Sequence, residues 1–195
     1  MQSTYKNTFL FTLGLLVILP NFVFAHSGHG DNNSFSFGLF HPFFGFDHLL
    51  AMVAVGVWAS QLGGKATWVV PFVFVSLMLV GGALSISGVS IPFVENGILV
   101  SVLILGVLIA AAVKAPLLLS SIIVGVFALF HGQAHGAELP ASSSAISYCL
   151  GFAVATILLH AVGIASGLGF AKWNNQKSVQ LTGASIALCG IYLLV

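Results

Sequence analysis

Pro116-Leu-Leu-Leu-Ser-Ser-Ile-Ile-Val-Gly-Val-Phe-Ala-Leu-Phe-His131-Gly-Gln-Ala-His135-Gly-Ala-Glu138 decides the fold. For fourteen residues after its proline it carries no ionisable group, and then it carries three within eight residues. Residues 116–135 match the ~20 residues that ~30 Å of hydrocarbon requires of a helix. Proline at the first position costs nothing, since that N–H lacks a helical partner anyway. His131 and His135 fall in the last two turns at i, i+4, so both imidazoles stack on one face. Glu138 extends the stripe at i+7 if the helix continues to Leu139. Ionisable groups inside a membrane segment cost several kcal/mol each and usually mark a pathway or a site.

Five further apolar segments share this character: 42–62, 67–86, 92–113, 144–170 and 179–195. Pro42 and Pro92 fall at expected helix starts, Pro140 follows an expected helix end, and Pro71 is expected to kink the second segment. Connections are short. Glycines are frequent within the segments, and Gly163/Gly167 has the spacing that lets helices approach closely. The expected architecture is an all-α integral membrane protein, a bundle of six transmembrane helices after a cleaved N-terminal signal peptide.

Composition agrees. The chain has 195 residues, of which 58% are hydrophobic and 5% charged, against about 25% charged in soluble domains. It has no arginine, and its five lysines are scattered, so no basic patch exists to meet nucleic-acid phosphates. Cys149 and Cys189 lie far apart in apolar runs and read as packed core residues rather than a disulfide. Residues 1–25 read as a secretory signal peptide: Lys6 gives the positive end, 9–19 the apolar stretch, and Val23-Phe24-Ala25 the cleavage site. Residues 26–39 then form a periplasmic, histidine-containing leader, and 40–195 the membrane domain.

Lysine placement fixes the orientation. With the mature N-terminus outside, the loops holding Lys65, Lys114 and Lys172/Lys177 all face the cytoplasm, as the positive-inside rule requires. Asp31, Glu95 and Glu138 fall outside or at the outer rim. The chain is thus expected in a bacterial inner membrane with both mature termini periplasmic.

This topology gathers the ionisable groups. If the first helix enters from outside, His41 sits at its mouth and His48 lies roughly 10 Å deeper. Spacing puts His41, Gly45, His48 and Met52 on one face. Asp47, one step round, can hold a histidine ring through its second nitrogen. His131 and His135 reach the same depth, Glu95 starts the third helix at that level, and His160 lies further in. Histidine with carboxylate is the ligand chemistry of first-row divalent metals. Taken singly, any of these histidines also suits a hydrogen-bonded helix-packing role. Glu95 equally suits a helix N-terminus, and Met52 suits core packing better than ligation. His26, His29 and Asp31 read either as a metal-collecting leader or as incidental residues of a flexible one.

The motifs His41-Pro-x-x-Gly-x-Asp47-His48-x-x-Ala51-Met52-x-x-Val55-Gly56, Phe130-His131-Gly-x-Ala-His135-Gly-x-Glu138 and Leu159-His160-x-x-Gly163 resemble the HupE/UreJ family of nickel permeases, found with hydrogenase and urease systems. The resemblance implies six transmembrane helices and secondary Ni²⁺ uptake. It implies that His41, Asp47, His48, His131, His135 and Glu138 are the functional residues. Spacing alone does not name nickel, and Co²⁺ stays open as cargo.

The expected function is therefore secondary transport of a divalent metal, with no permanently bound cofactor and no enzymatic activity. No P-loop is present, and none is needed: a 2+ ion moving down an inside-negative potential gains roughly 4–5 kcal/mol per 100 mV. The expected partners are the metal ion and the lipid bilayer, with a homo-oligomer or a cytoplasmic metallochaperone left open. Alternatives are a metal-binding receptor without transport and a b-type haem protein using His48 and His131. Ser166 and His160 stand on poorly matched faces for a serine protease.

Overall fold

The computed structural model describes residues 34–141, 143–172 and 175–195, and these form helices and short turns without strands. The expected signal peptide, His26, His29 and Asp31 lie outside the described residues. In chain order the helices are α1 (Ser34–Phe40), α2 (Phe46–Leu62), α3 (Ala66–Ile86), α4 (Val94–Ala110), α5 (Leu117–Ala137), α6 (Ala145–Lys172) and α7 (Gln176–Leu194), with a 3-10 turn at His41–Phe43 between α1 and α2.

Four helices, α3, α5, α6 and α7, are each long and apolar enough to cross a membrane. The α1 segment with its 3-10 turn and α2 pass the same test together, but they bend by 80° at the break between them. This corrects the expectation of a straight helix from Pro42. Pro42 sits inside the 3-10 turn, and Gly45 precedes α2 in extended backbone (φ −94°, ψ 107°). A β-carbon on Gly45 would lie 2.9 Å from His48 Nδ1 and 3.1 Å from Asp47 Oδ1, so glycine leaves room for that side-chain pair. The helical unit also reaches back to Ser34, whose hydroxyl accepts from the Ser144 N–H at 3.0 Å, so part of the expected leader is docked on α6.

The third segment is shorter than expected. Phe93, in left-handed backbone (φ 58°), starts α4, and Ala112 (φ 50°) follows its end. The resulting 17 residues rise only about 25 Å. By contrast, α3 runs unbroken through Pro71. Cys149 and Cys189 are free thiols, both half-buried, and Cys189 packs against the core.

The most extensive helix pairings are α3 with α5, α4 with α7, and α2 with α6. Glycine makes the last one close. A β-carbon on Gly56 would strike the His160 carbonyl, and one on Gly163 the Val53 carbonyl. Burial is inverted relative to a soluble protein. Trp68, Phe72, Leu118, Ile146 and Leu188 face outward, whereas Ser101, Ser120, Thr156 and four histidines are buried. Outward apolar and inward polar residues suit a lipid surround. At the lysine-bearing end, Trp58 Nε1 donates to Val113 O (3.2 Å), Gln61 Nε2 donates to Ile109 O (3.1 Å), and Lys114 donates to Gln61 O, tying α2 to the end of α4 and the α4–α5 connection.

Candidate metal site

At the opposite end of α2 the histidines converge. His41, on the 3-10 turn, bonds through Nε2 to Glu138 Oε2 at 2.8 Å. Glu138 caps the end of α5, where its backbone N–H donates to Ala134 O. His135 Nδ1 approaches the same carboxylate oxygen at 3.5 Å, too long for a full hydrogen bond. One donor atom from each of His41, His135 and Glu138 lies within 4.8 Å of the others, a mouth whose three atoms could hold a metal ion. The His135 and His41 imidazoles hold the Glu138 carboxyl well below the usual carboxylate range, so the mouth keeps its negative charge.

Inward from this mouth the rings form a file. Ring centroids are 4.9 Å apart for His41–His135, 4.4 Å for His135–His48 and 5.2 Å for His48–His131. His41 is part-exposed, whereas the other three are buried, His131 completely. The 80° bend corrects the expected single face for His41 and His48: His41 reaches the file from the other limb, through His135. Tyr148 sets its ring edge against His41 at 5.9 Å.

Second contacts orient two of the rings. His48 Nδ1 donates to Asp47 Oδ1 at 2.9 Å, and the same oxygen accepts the His48 backbone N–H at 2.9 Å. His131 Nδ1 donates to the Phe127 carbonyl, one turn back, at 2.9 Å. Carboxylate and carbonyl can only accept here, so each Nδ1 carries the proton and each Nε2 keeps a free lone pair. Neither Nε2 has a hydrogen-bond partner among the described residues, nor has either ring nitrogen of His135 or His160. A buried polar atom without a partner costs about 1–3 kcal/mol. Six such nitrogens on four rings are more than helix packing explains; with one N–H on each neutral ring, four of them carry lone pairs that could ligate a cation.

His160 stands apart. The fully buried Phe74 ring lies between, 5.4 Å from His131 and 5.1 Å from His160. Glu95 is exposed in the first turn of α4, and no ion pair joins it to the histidines, so two carboxylates and not three meet at the file. Sequence reasoning missed Phe74, Thr156 and Met78. Their one available signal was a four-residue register with Met52, His131 and His160, which becomes readable only once the helices are paired.

Fold and site thus define an all-helical protein with membrane-length apolar helices enclosing a buried histidine file. It belongs to the HupE/UreJ family: the family model described as HupE / UreJ protein matches residues 14–193. It is 49% identical over 179 residues to Protein HupE of Rhizobium leguminosarum bv. viciae, covering 91% of this chain and 92% of that protein. No solved structure matches the chain.

Proposed function

We propose that the chain is a secondary permease that carries a divalent transition metal, Ni²⁺ first and Co²⁺ second, into the cytoplasm for maturation of a hydrogenase or urease. The observation that carries this reading is the file His41–His135–His48–His131, which runs from a part-exposed carboxylate mouth to full burial, with ring nitrogens of His135, His48 and His131 left without partners. Six spans follow if the bent pair is the first and α4 is a short third, a mismatch a bilayer accommodates by thinning locally. The mature chain begins after residue 25, at the periplasmic face of the inner membrane, and ends on the same side. Lys65, Lys114, Lys172 and Lys177 then face the cytoplasm.

Mechanistically, the obstacle is dehydration of the ion. Glu138 and His41 attract it at the mouth, and His135, His48 and His131 replace its water ligands in steps. Asp47 offsets part of its charge and fixes the His48 ring. Ligands shared among neighbouring rings keep binding weak enough for release. The membrane potential supplies the direction.

A haem reading fits poorly. His48 and His131 meet edge to face at 5.2 Å and 76°, which leaves no slot for a porphyrin between them. A receptor that binds without transport shares the same ligands. Proteoliposomes under an imposed inside-negative potential separate the two: the permease accumulates ⁶³Ni²⁺ in the lumen, whereas a receptor binds it with no flux.

A further inference from the structure

Stepping four residues at a time along α2, α3, α5 and α6 stacks the interior into layers. The outer layer holds His48, Gly82, His135 and Phe152, with His135 and Phe152 in ring contact at 3.8 Å. The next holds Met52, Met78, His131 and Thr156. The third holds Gly56, Phe74, Phe127 and His160. In the middle layer Thr156 Oγ1 lies 3.5 Å from Met52 Sδ and 3.5 Å from Met78 Sδ, and 3.0 Å from the Phe152 carbonyl. All three side chains are buried.

Counting protons exposes an imbalance. The hydroxyl has one hydrogen, and the Phe152 carbonyl is its best acceptor. Both sulfurs therefore turn lone pairs toward an oxygen whose proton is already committed. His131 Nε2 on the same layer and both nitrogens of His160 one layer deeper also lack partners. The middle layer thus gathers two thioether sulfurs and the His131 Nε2 lone pair around one committed hydroxyl proton. Met1 apart, Met52 and Met78 are the only methionines in the chain, and both touch the same threonine.

We propose that Met52 and Met78, with Thr156, form a second, thioether-containing cation site in the layer of His131, between the outer rings of the file and His160. Its chemistry suits soft or borderline late transition-metal ions and rejects Mg²⁺, Ca²⁺ and Mn²⁺, which prefer all-oxygen shells. Methionine also binds such ions without a thiolate's grip, so the site passes cargo on rather than trapping it. Phe74, which separates His131 from His160, makes this layer the last donor set before an apolar step. The role of the site rests on the permease reading, but its existence rests on the donor geometry alone.

The test uses the full-length protein with Cys149 and Cys189 changed to serine, and Ag⁺ as a thioether-seeking probe. Met52→Leu/Met78→Leu conserves volume and removes both sulfurs. Silver bound per chain, measured after desalting, is expected to fall by one relative to the cysteine-free parent. ⁶³Ni²⁺ uptake into proteoliposomes is expected to fall roughly tenfold or more. Circular dichroism and thermal unfolding check that the variant is folded. If the double variant does not fold, either single leucine variant serves, because the ion needs both sulfurs. Equal silver stoichiometry in parent and variant overturns the site, and unchanged uptake overturns its place on the path. A parent that loses one silver ion on mutation but transports nothing refutes the permease reading and leaves the thioether site standing.

Discussion

His41 Nε2 and Glu138 Oε2 meet at 2.8 Å across 97 residues of sequence, joining the 3-10 turn before α2 to the end of α5. The contact closes the outer end of the histidine file and sets a carboxylate at its mouth. In the permease reading, changing either partner removes a ligand and frees the other. His41→Ala or Glu138→Gln is expected to raise the Ni²⁺ concentration for half-maximal uptake by about tenfold. The double variant should be little worse than either single one, because the two act as a unit. Fully additive losses in a double-mutant cycle would show that they act separately.

Asp47 hydrogen-bonds to His48 alone among the rings of the file, and so sets how His48 faces the others. Its Oδ1 accepts from both the ring and the backbone of His48. Asp47→Asn keeps the shape but lets an amide N–H compete for the ring nitrogen. Uptake is expected to fall about 10–100-fold while thermal stability stays near wild type. A variant that transports normally would assign Asp47 to helix capping alone.

Proton competition should be visible in uptake. Imidazole must be neutral to ligate, so initial rates are expected to drop as the pH is lowered. Glu138 does not cause this loss. Its folded-state carboxyl titrates below its ordinary range, so it stays ionised throughout, and its contribution disappears only at strongly acid pH. Glu138→Gln should therefore lower uptake across the whole pH range. Initial rates that do not fall at any acid pH at which the protein stays folded would rule out histidine ligation as the limiting feature.

Packing between α2 and α6 gives a stability prediction. Gly56→Ala and Gly163→Ala each push a methyl into a neighbouring backbone carbonyl. Each is expected to destabilise the protein by about 1–3 kcal/mol, read as a lowered Tm in detergent. Gly169→Ala, where a β-carbon meets nothing within 4 Å, serves as the control and should be neutral or slightly stabilising. Equal Tm values for all three would mean that the two helices separate freely.

Much of this was legible in the sequence because hydrophobic length and helical spacing are local. The run from Pro116 to Glu138 read directly as a helix, and the His131/His135 pair followed from its periodicity. The break at Gly45 was not legible. Pro42 at an apparent helix start suggests continuity, and what interrupts the helix is the space the Asp47–His48 pair needs. Helix α1 was hidden because serines alternate with phenylalanines in a stretch too short to show a period. The shortness of α4 depends on left-handed backbone at Phe93 and Ala112, which no composition rule anticipates. Phe74 and Thr156 look like ordinary apolar-helix residues until α3 and α6 are placed beside α2 and α5.

The most direct test of the histidine file is ⁶³Ni²⁺ uptake into proteoliposomes for wild type, His48→Ala and His131→Ala, under an inside-negative potential and with Co²⁺ and Zn²⁺ as competitors. The account predicts saturable uptake by wild type, inhibited by Co²⁺, and lost in both variants while helix content is kept. Wild-type uptake that persists in His131→Ala would contradict it, because the fully buried ring would then lie off the path the metal takes.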